Sequence, residues 1–129
     1  MNVSATWSTS GPSLTGSLSN LAAKAVGKIA ANIYNEAVKN SPVLTGSFRS
    51  SWRMSLNLRD TTTTSGGAPG APLPAPAELD PLPVKPGQRV IVSNSMPYAY
   101  RLEFGWSNQA PSGILRISVA AAIRRSGYV

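Results

Sequence analysis

The feature that most limits the fold is a proline- and glycine-rich segment in the middle of the chain, residues 60–87, which reads DTTTTSGGAPGAPLPAPAELDPLPVKPG. It shows neither a helical nor a strand period, and its prolines remove backbone donors and favour extended geometry. Regular structure must therefore come from the residues on either side. Because the chain has only 129 residues, we expect a single domain, residues 14–129, that carries this segment as an insert.

Two conformations of the insert are compatible with its composition. It is too long to be a simple hairpin turn. In an isolated monomer we expect it to be disordered. In an assembly we expect an extended, ordered arm on another subunit, because a stiff chain loses less entropy when it docks. Pro72, Pro74 and Pro76 are then candidate contact residues.

Before the insert, residues 14–40 are predicted to form a helix, because apolar side chains recur at steps of three and four. Asn40, Ser41 and Pro42 end it, since the residue before a proline avoids the helical region. The recurring apolar positions are Leu18, Leu21, Ala22, Ala25, Ile29, Ile33 and Ala37.

A strand is predicted next, over residues 48–58, where the period changes to two. One face would be packed and the other solvated, which is typical of an antiparallel sheet backed by a helix. The predicted inner face carries Phe48, Ser50, Trp52, Met54, Leu56 and Leu58, and the outer face carries Arg49, Ser51, Arg53, Ser55, Asn57 and Arg59.

The turn between helix and strand has residues suited to a tight bend. Pro42 stops the helix, Gly46 permits backbone angles that other residues avoid, and Thr45 can bond backbone groups within the turn. Trp52 is expected to pack the inner face of the sheet on the first helix. These four residues are the predicted structural residues of this turn and strand.

After the insert, residues 88–94 are predicted to form a second strand that pairs with the first in a long-looped hairpin. Asn94 ends it, where its side chain can satisfy nearby backbone groups. A short helix follows, with Ser95 as a possible N-cap, Tyr98 packed around it and Gly105 at its C-terminal stop.

Residues 114–125 fit a last amphipathic helix, with a strand as the competing interpretation. The fold class is therefore α+β: an N-terminal helix packed on a small antiparallel sheet, a short helix and a C-terminal helix, with the long Pro/Gly-rich loop inserted. Residues 1–13 are polar and predicted to form a flexible N-terminal arm. Trp7 in that arm is either docked on a neighbour or exposed.

Catalytic chemistry has few possible carriers in this chain. There is no cysteine and no histidine, which excludes disulfides, the usual zinc sites and histidine-based triads. The few acids show no pairing of two on rigid elements, as a carboxylate site requires. We therefore expect no enzyme, cofactor or metal site. The acids are Glu36, Asp60, Glu78, Asp80 and Glu103.

The net charge of +7 indicates an anionic neighbour or simply aids solubility. Arg49, Arg53 and Arg59 are predicted to point the same way from the outer strand face. They would contact phosphates or an acidic partner, or form a solvated face. We expect Glu103 to pair with Arg49 or Arg53, or with an arginine of the next subunit; a solvated glutamate is the alternative.

Two segments form a recognisable pair: the first motif, SPVLTGSFRSSW, residues 41–52, after the first helix, and the second motif, VSNSMPYAYRLEFG, residues 92–105. In this order and spacing they resemble the head–tail joining family of tailed bacteriophages, which comprises small neck, tail-completion and tail-terminator proteins. The resemblance covers roughly residues 18–125. Phe48 stands where leucine is commoner, and the insert departs from the family's pattern, which affects the expected subunit contacts more than the fold.

The resemblance implies an α+β structural subunit that forms a homo-oligomeric ring, usually a hexamer, in the neck or at the top of the tail. DNA would pass through the lumen without sequence specificity. The implied partners are neighbouring neck, portal-adaptor and tail proteins, with no enzymatic activity. No membrane partner is expected, because no stretch of the sequence approaches 18 consecutive apolar residues. The implied location is the head–tail junction of the virion, and the host cytoplasm during assembly. The alternatives are a basic, non-enzymatic DNA-binding protein and, more remotely, an unrecognised enzyme.

Overall fold

The structure is a computed structural model that describes residues 14–43, 46–64, 73–105, 110 and 112–127. The predicted arm at residues 1–13 with Trp7, and also Thr45 and Pro72, lie outside the described residues. The elements in chain order are α1 (Leu14–Asn40), α2 (Ser47–Ser50), β1 (Trp52–Leu56), β2 (Val90–Asn94), α3 (Ala99–Glu103) and α4 (Leu115–Ser126).

Helix α1 is the long support on which the rest of the fold packs, and it ends at Asn40 as predicted. Most of its buried residues are small, so neighbouring elements approach it closely. Just past its end, the hydroxyl of Ser41 donates to the carbonyl of Ala37 at 2.6 Å. The buried residues of α1 are Ala23, Gly27, Ala30, Ala31, Tyr34, Ala37 and Val38.

The predicted strand over residues 48–58 is wrong at both ends. Gly46 has a φ of +83°, and its carbonyl accepts from the amide of Ser50 at 2.9 Å, so the chain first makes the helical turn α2. The hydroxyl of Ser51 then donates to the carbonyl of Ser47 at 2.6 Å. The strand ends before Asn57, whose φ is +65°, and Leu58 is 80% exposed.

Strands β1 and β2 form a two-stranded antiparallel sheet, with Trp52 opposite Asn94 and Leu56 opposite Val90. The predicted long-looped hairpin is therefore confirmed, although β2 is shorter than residues 88–94. Asn57 closes its far end, because its amide donates to the Arg89 carbonyl at 2.8 Å. An isolated two-stranded sheet is marginal in water, so this one depends on packing against α1.

The core forms where α1, α2, β1 and the start of α4 meet. Trp52 and Phe48 pack edge to face, with ring centroids 5.8 Å apart. The indole Nε1 of Trp52 donates to the Ser41 hydroxyl at 2.7 Å, which confirms that Trp52 joins the sheet to the first helix. The buried members of the cluster are Tyr34, Ala37, Val38, Phe48, Trp52, Ala110 and Ile114.

Helix α4 lies antiparallel to α1. Its first turn meets the end of α1, where the Asn40 amide donates to the Ser118 hydroxyl at 3.1 Å. Its last turn meets an earlier part of α1, where the guanidinium of Arg125 donates to the Glu36 carboxylate at 2.7 Å. The inner positions Ile114, Ser118 and Ala122 are spaced by four and fully buried. The helical interpretation of this segment is confirmed and the competing strand is wrong.

Helix α3 is short and begins later than predicted. Tyr98, not Ser95, precedes its first residue. The Asn94 side chain accepts from the amide of Met96 at 3.1 Å, so the strand end is satisfied by asparagine as expected. Gly105 follows with a φ of +85°, in agreement with its predicted role as a C-terminal stop. The α+β class is confirmed.

The contact between Ser41 and Trp52 yields a stability prediction. Ser41→Ala removes the acceptor of a buried indole N–H, and leaving that donor unsatisfied costs about 1–3 kcal/mol. We expect a lower urea midpoint, measured by tryptophan fluorescence and circular dichroism. Ser112→Ala, at an exposed position, is the matched control and should leave the midpoint unchanged. Equal midpoints for both variants would contradict the role of this hydrogen bond.

Candidate protein–protein interface

The carboxylate of Glu103 closes the N-terminus of α4. Its Oε2 accepts from the amides of Ile114 at 2.9 Å and Leu115 at 2.7 Å. Its Oε1 accepts from the amide of Arg116 at 3.1 Å. The first turn of α4 has no acidic residue of its own. Glu103 therefore supplies from another element the acceptor and the negative charge that a helix N-terminus favours.

Arg116 completes this contact from the other side. Its Nε donates to Oε1 of Glu103 at 3.1 Å, and its Nη2 donates to the Glu103 carbonyl at 2.7 Å. Its guanidinium carbon also lies 5.6 Å from the centre of the Phe104 ring. A Cβ at Gly113 would come within 2.6 Å of the Glu103 carbonyl oxygen, so this position requires glycine. Helix α3 is thereby fixed to the start of α4.

The surroundings of Glu103 set its protonation. Burial raises the pKa of the carboxyl, but hydrogen bonds from the amides of Leu115, Ile114 and Arg116 and from the Arg116 side chain lower it, and the net pKa lies below the usual value. The predicted pairing with Arg49 or Arg53 is wrong. The contact of Glu103 with Arg116 has a signal in the sequence: Gly113 is followed by a helix, α4, that has no acid in its first turn and so takes one from another element.

The three arginines predicted to share one outer face do not do so. Arg49 lies on α2, where its Nη2 donates to the Leu73 carbonyl at 3.3 Å. Arg59 lies beyond the strand and donates to the Ser95 hydroxyl at 3.0 Å. The reason is the local backbone: the turn α2 removes Arg49 from the strand, and the positive φ of Asn57 ends the strand before Arg59.

Only Arg53 is on β1, and its guanidinium is held by its own chain. It donates to the hydroxyl of Thr62 at 3.0 Å, to the hydroxyl of Thr64 at 2.9 Å and to the Ser50 carbonyl at 2.8 Å. These bonds tie the start of the insert to the end of the first motif. These three arginines therefore do not form a row that is free to contact phosphates.

The second half of the insert, residues 73–87, lies extended against α1 and α2 of the same chain. The Asn35 side chain binds both backbone groups of Leu79, donating to its carbonyl at 3.0 Å and accepting from its amide at 2.9 Å. Further along, a Cβ at Gly27 would come within 2.4 Å of the Leu82 carbonyl oxygen. The disorder expected for a monomer does not hold for these residues.

The candidate contact prolines of the insert differ in exposure. Pro74 is exposed, and its carbonyl accepts from the Ser50 hydroxyl at 3.3 Å. Pro76 is half-buried and lines a cavity of about 280 Å³ beside Arg49, whose Nε is buried without a hydrogen-bond partner among the described residues. The tip of this segment, Glu78–Leu79–Asp80, is exposed.

A larger groove of about 460 Å³ lies between the sheet and α3. Its walls are mainly apolar, and its one carboxylate, on Glu103, is already bound to α4. Across the described residues no group of three acids could hold a metal ion. No helix among the described residues is long and apolar enough to span a membrane. The groove offers packing surface but no arrangement for acid–base chemistry.

Two exposed surfaces remain as candidates for contact with other molecules. The first, the outer α1 surface, consists of Leu18, Leu21, Lys24 and Lys28, with the two leucines 55% and 64% exposed. Helix α4 packs on the C-terminal part of α1, and no other described element covers this surface. The second, the aromatic patch, consists of Tyr100 and Phe104, which are 74% and 55% exposed and have ring centroids 4.5 Å apart.

The Glu103 contact makes stability dependent on pH. Because the folded pKa is lowered, its contribution is fully present above the unfolded pKa of about 4.3 and is lost as pH falls through the folded pKa. Glu103→Gln should lower stability by about 0.5–2 kcal/mol at neutral pH and lose less stability than the parent on acidification. Urea unfolding at neutral and acid pH measures both effects. Glu78→Gln, at an exposed carboxyl, is the control, and parallel pH profiles for all three proteins would contradict the assignment.

The Asn35 contact makes the insert's order depend on α1. Asn35→Ala removes both side-chain bonds to Leu79, and at about 1 kcal/mol per bond the Leu79 amide should exchange with deuterium about tenfold faster or more. Hydrogen-exchange mass spectrometry of peptides that cover residues 73–87 measures this rate. Asn32→Ala, one turn earlier on the same helix, is the control. Unchanged exchange in Asn35→Ala would show that other contacts hold the segment.

Comparison with known proteins adds no relative to these observations. No family model matches the chain, and neither a curated protein nor a solved structure gives a significant match.

Proposed function

We propose that this chain is a structural subunit of the head–tail junction of a tailed bacteriophage. It forms a homo-oligomeric ring, with six subunits as the expected number, in the neck or at the top of the tail. DNA passes through the lumen without sequence-specific contacts. The observation that carries the proposal is that the two motifs of the resemblance bind each other inside the fold; exposed apolar side chains on two separate surfaces support it.

The contact between the motifs is direct. The Asn94 side chain, from the second motif, donates to the Phe48 carbonyl in the first at 2.8 Å. Trp52 and Asn94 are also partners across the sheet. Tyr98 contributes a ring 6.0 Å from the Phe48 ring. The motif residues thus form a joint within the fold, as a structural module requires, and residues of both motifs also form the mainly apolar wall of the groove between the sheet and α3.

The two exposed surfaces support the same conclusion. The outer α1 surface and the aromatic patch belong to elements at different places in the fold, and each places two large apolar side chains next to each other at the surface. A subunit of a ring within a stack contacts other chains on more than one side. Two separate apolar surfaces fit that requirement better than the single pocket of a typical small-molecule binder.

The positive charge fits a position near DNA or acidic neighbours, but it does not favour a DNA-coating protein. Such a protein would present several free cations from one face to the phosphates. Here Arg53 is bound by its own threonines, while Arg49 and Arg59 lie on other elements. The net charge of +7 is sufficient for non-specific attraction to DNA in a lumen.

Assembly and DNA binding can be separated in solution. We expect a discrete oligomer, by native mass spectrometry, and rings by negative-stain microscopy, with weak duplex-DNA affinity. If the chain instead stays monomeric at micromolar concentration and binds duplex DNA tightly, with an affinity that falls steeply as salt rises, the structural proposal is wrong and the DNA-binding alternative is correct.

The aromatic patch provides a matched pair of variants for the same assay. Tyr100→Ser removes a large exposed ring from the patch and should shift the oligomer towards smaller species, because apolar burial at a contact is lost. Leu58→Ser removes an exposed apolar side chain that lies outside both surfaces and should leave assembly unchanged. Thermal unfolding of both variants should match the parent, which shows that any loss is not unfolding.

A further inference from the structure

The outer α1 surface has a regular arrangement. Leu21, Lys28 and Asn35 are spaced by seven residues, and positions seven apart lie on the same side of an α-helix, with a drift of only about 20° per step. Leu18 and Lys24 flank this line. The N-terminal half of the line is apolar and basic, and it is exposed to solvent.

The C-terminal half of the same line holds an acidic surface. Asn35 binds the backbone of Leu79 on both sides. The three residues at this point, Glu78, Leu79 and Asp80, are exposed. We call them the acidic tip. The side of α1 that carries Leu21 and Lys28 therefore carries the acidic tip about 21 Å further along the helix axis, at a rise of about 1.5 Å per residue.

Within the part of the chain that the structure describes, the charges on this side of α1 take part in none of the ion pairs. The ion pairs among the described residues use Glu36 and Glu103 as their acids, and Asp60 is bound by Thr62. Of the five acids in the chain, this leaves Glu78 and Asp80, which flank an exposed leucine. Lys24 and Lys28, which follow two exposed leucines, are likewise outside these ion pairs. The two surfaces are complementary in charge and alike in apolar content.

We propose that two copies of this chain pair through the outer side of α1, with their α1 helices antiparallel. Leu18, Leu21 and Lys24 of each copy face the acidic tip of the other, with Leu21 opposite Leu79, and the two Lys28 side chains lie near the two-fold axis. Two surfaces on the same side of one helix come face to face only when the second copy is turned by about 180°. The contact is therefore two-fold and each half of it forms twice.

This pairing does not depend on the proposed function. It covers the outer α1 surface and leaves the aromatic patch free for a different contact. A two-fold contact combined with a cyclic contact elsewhere joins two rings back to back. The pair is expected to be salt-sensitive, because its ion pairs lie near the surface and are screened.

Introduced cysteines test the geometry directly, because the chain has none of its own. Leu21→Cys and Leu79→Cys place thiols about 21 Å apart within one chain, whereas a disulfide needs Cα atoms within about 7 Å. Any bond between these positions must therefore join two chains. Mixing the two single variants under mild oxidation should give the mixed dimer in excess over either homodimer. Leu21→Cys mixed with Leu58→Cys is the control and should give little product.

The variant that carries both cysteines distinguishes a two-fold contact from a ring contact. A two-fold pair forms both disulfides within one dimer, so non-reducing electrophoresis should show a dimer and no larger species. A ladder of higher oligomers would overturn the two-fold geometry. Absence of the mixed dimer from the single variants would overturn the contact itself.

Charge reversal tests the chemistry of the contact. K24E/K28E and E78K/D80K should each weaken self-association at least about tenfold at low salt, measured by sedimentation velocity. Mixing the two variants restores opposite charge at every position and should recover the dimer as a heterodimer. R89E/R124E, a control at exposed arginines away from the line, should associate like the parent. A mixture that associates no better than either variant alone would overturn the pairing.

The outcomes also separate this inference from the proposed function. If both charge-reversed variants still form rings and mixing them does not increase self-association, the α1 pairing is wrong and the proposed structural role is unaffected. If the chain forms a salt-sensitive dimer with the expected cross-links but forms no rings, alone or with neighbouring virion proteins, the ring proposal is wrong and the α1 pairing is supported.

Discussion

The hydrogen bond from the Trp52 indole to the Ser41 hydroxyl, 2.7 Å long, is the contact on which the rest of the fold depends. It joins the end of α1 to the first residue of β1 across the turn α2. A two-stranded sheet is too small to be stable alone, so its position is set by this attachment and by the packing of Trp52 on Phe48. Residues that share no secondary structure thus form one rigid joint, and β2 is aligned on it through Asn94 and Phe48.

A second contact sets the position of α4. The start of this helix has no acid of its own, so the chain supplies one from outside the helix. Glu103 does so from α3, and Gly113 allows the close approach that this requires. The consequence reaches beyond the local contact. Since α4 packs antiparallel on α1, the cap at its N-terminus also holds Ile114 in the core against Trp52. The second motif therefore contributes to the core both through the sheet and through the last helix.

Local sequence patterns predicted the elements whose conformation is set by their own side chains. The 3.6-residue period located α1 and α4, and alternation located the hairpin. The wrong predictions have physical causes that the spacing of apolar residues does not reveal. Serine hydroxyls bonded to preceding carbonyls, together with the left-handed Gly46, favour a helical turn where alternation predicted strand. The described part of the insert is held by side chains that match a distant backbone, such as Asn35 at Leu79 and Arg49 at Leu73, and composition alone cannot show such a match.

The most informative failure concerns the apolar stripe of α1. Periodicity counted Leu18 and Leu21 among its positions, yet both are exposed, while the buried face consists mainly of alanines with Gly27, Tyr34 and Val38. Small residues lie inward because α4 and the insert approach the α1 backbone closely. The larger leucines lie outward, on the half of the helix that extends past α4. In the monomer these leucines bury less than half of their surface, and the hydrophobic gain scales with the apolar area removed from water. A second chain that covers them would bury the rest.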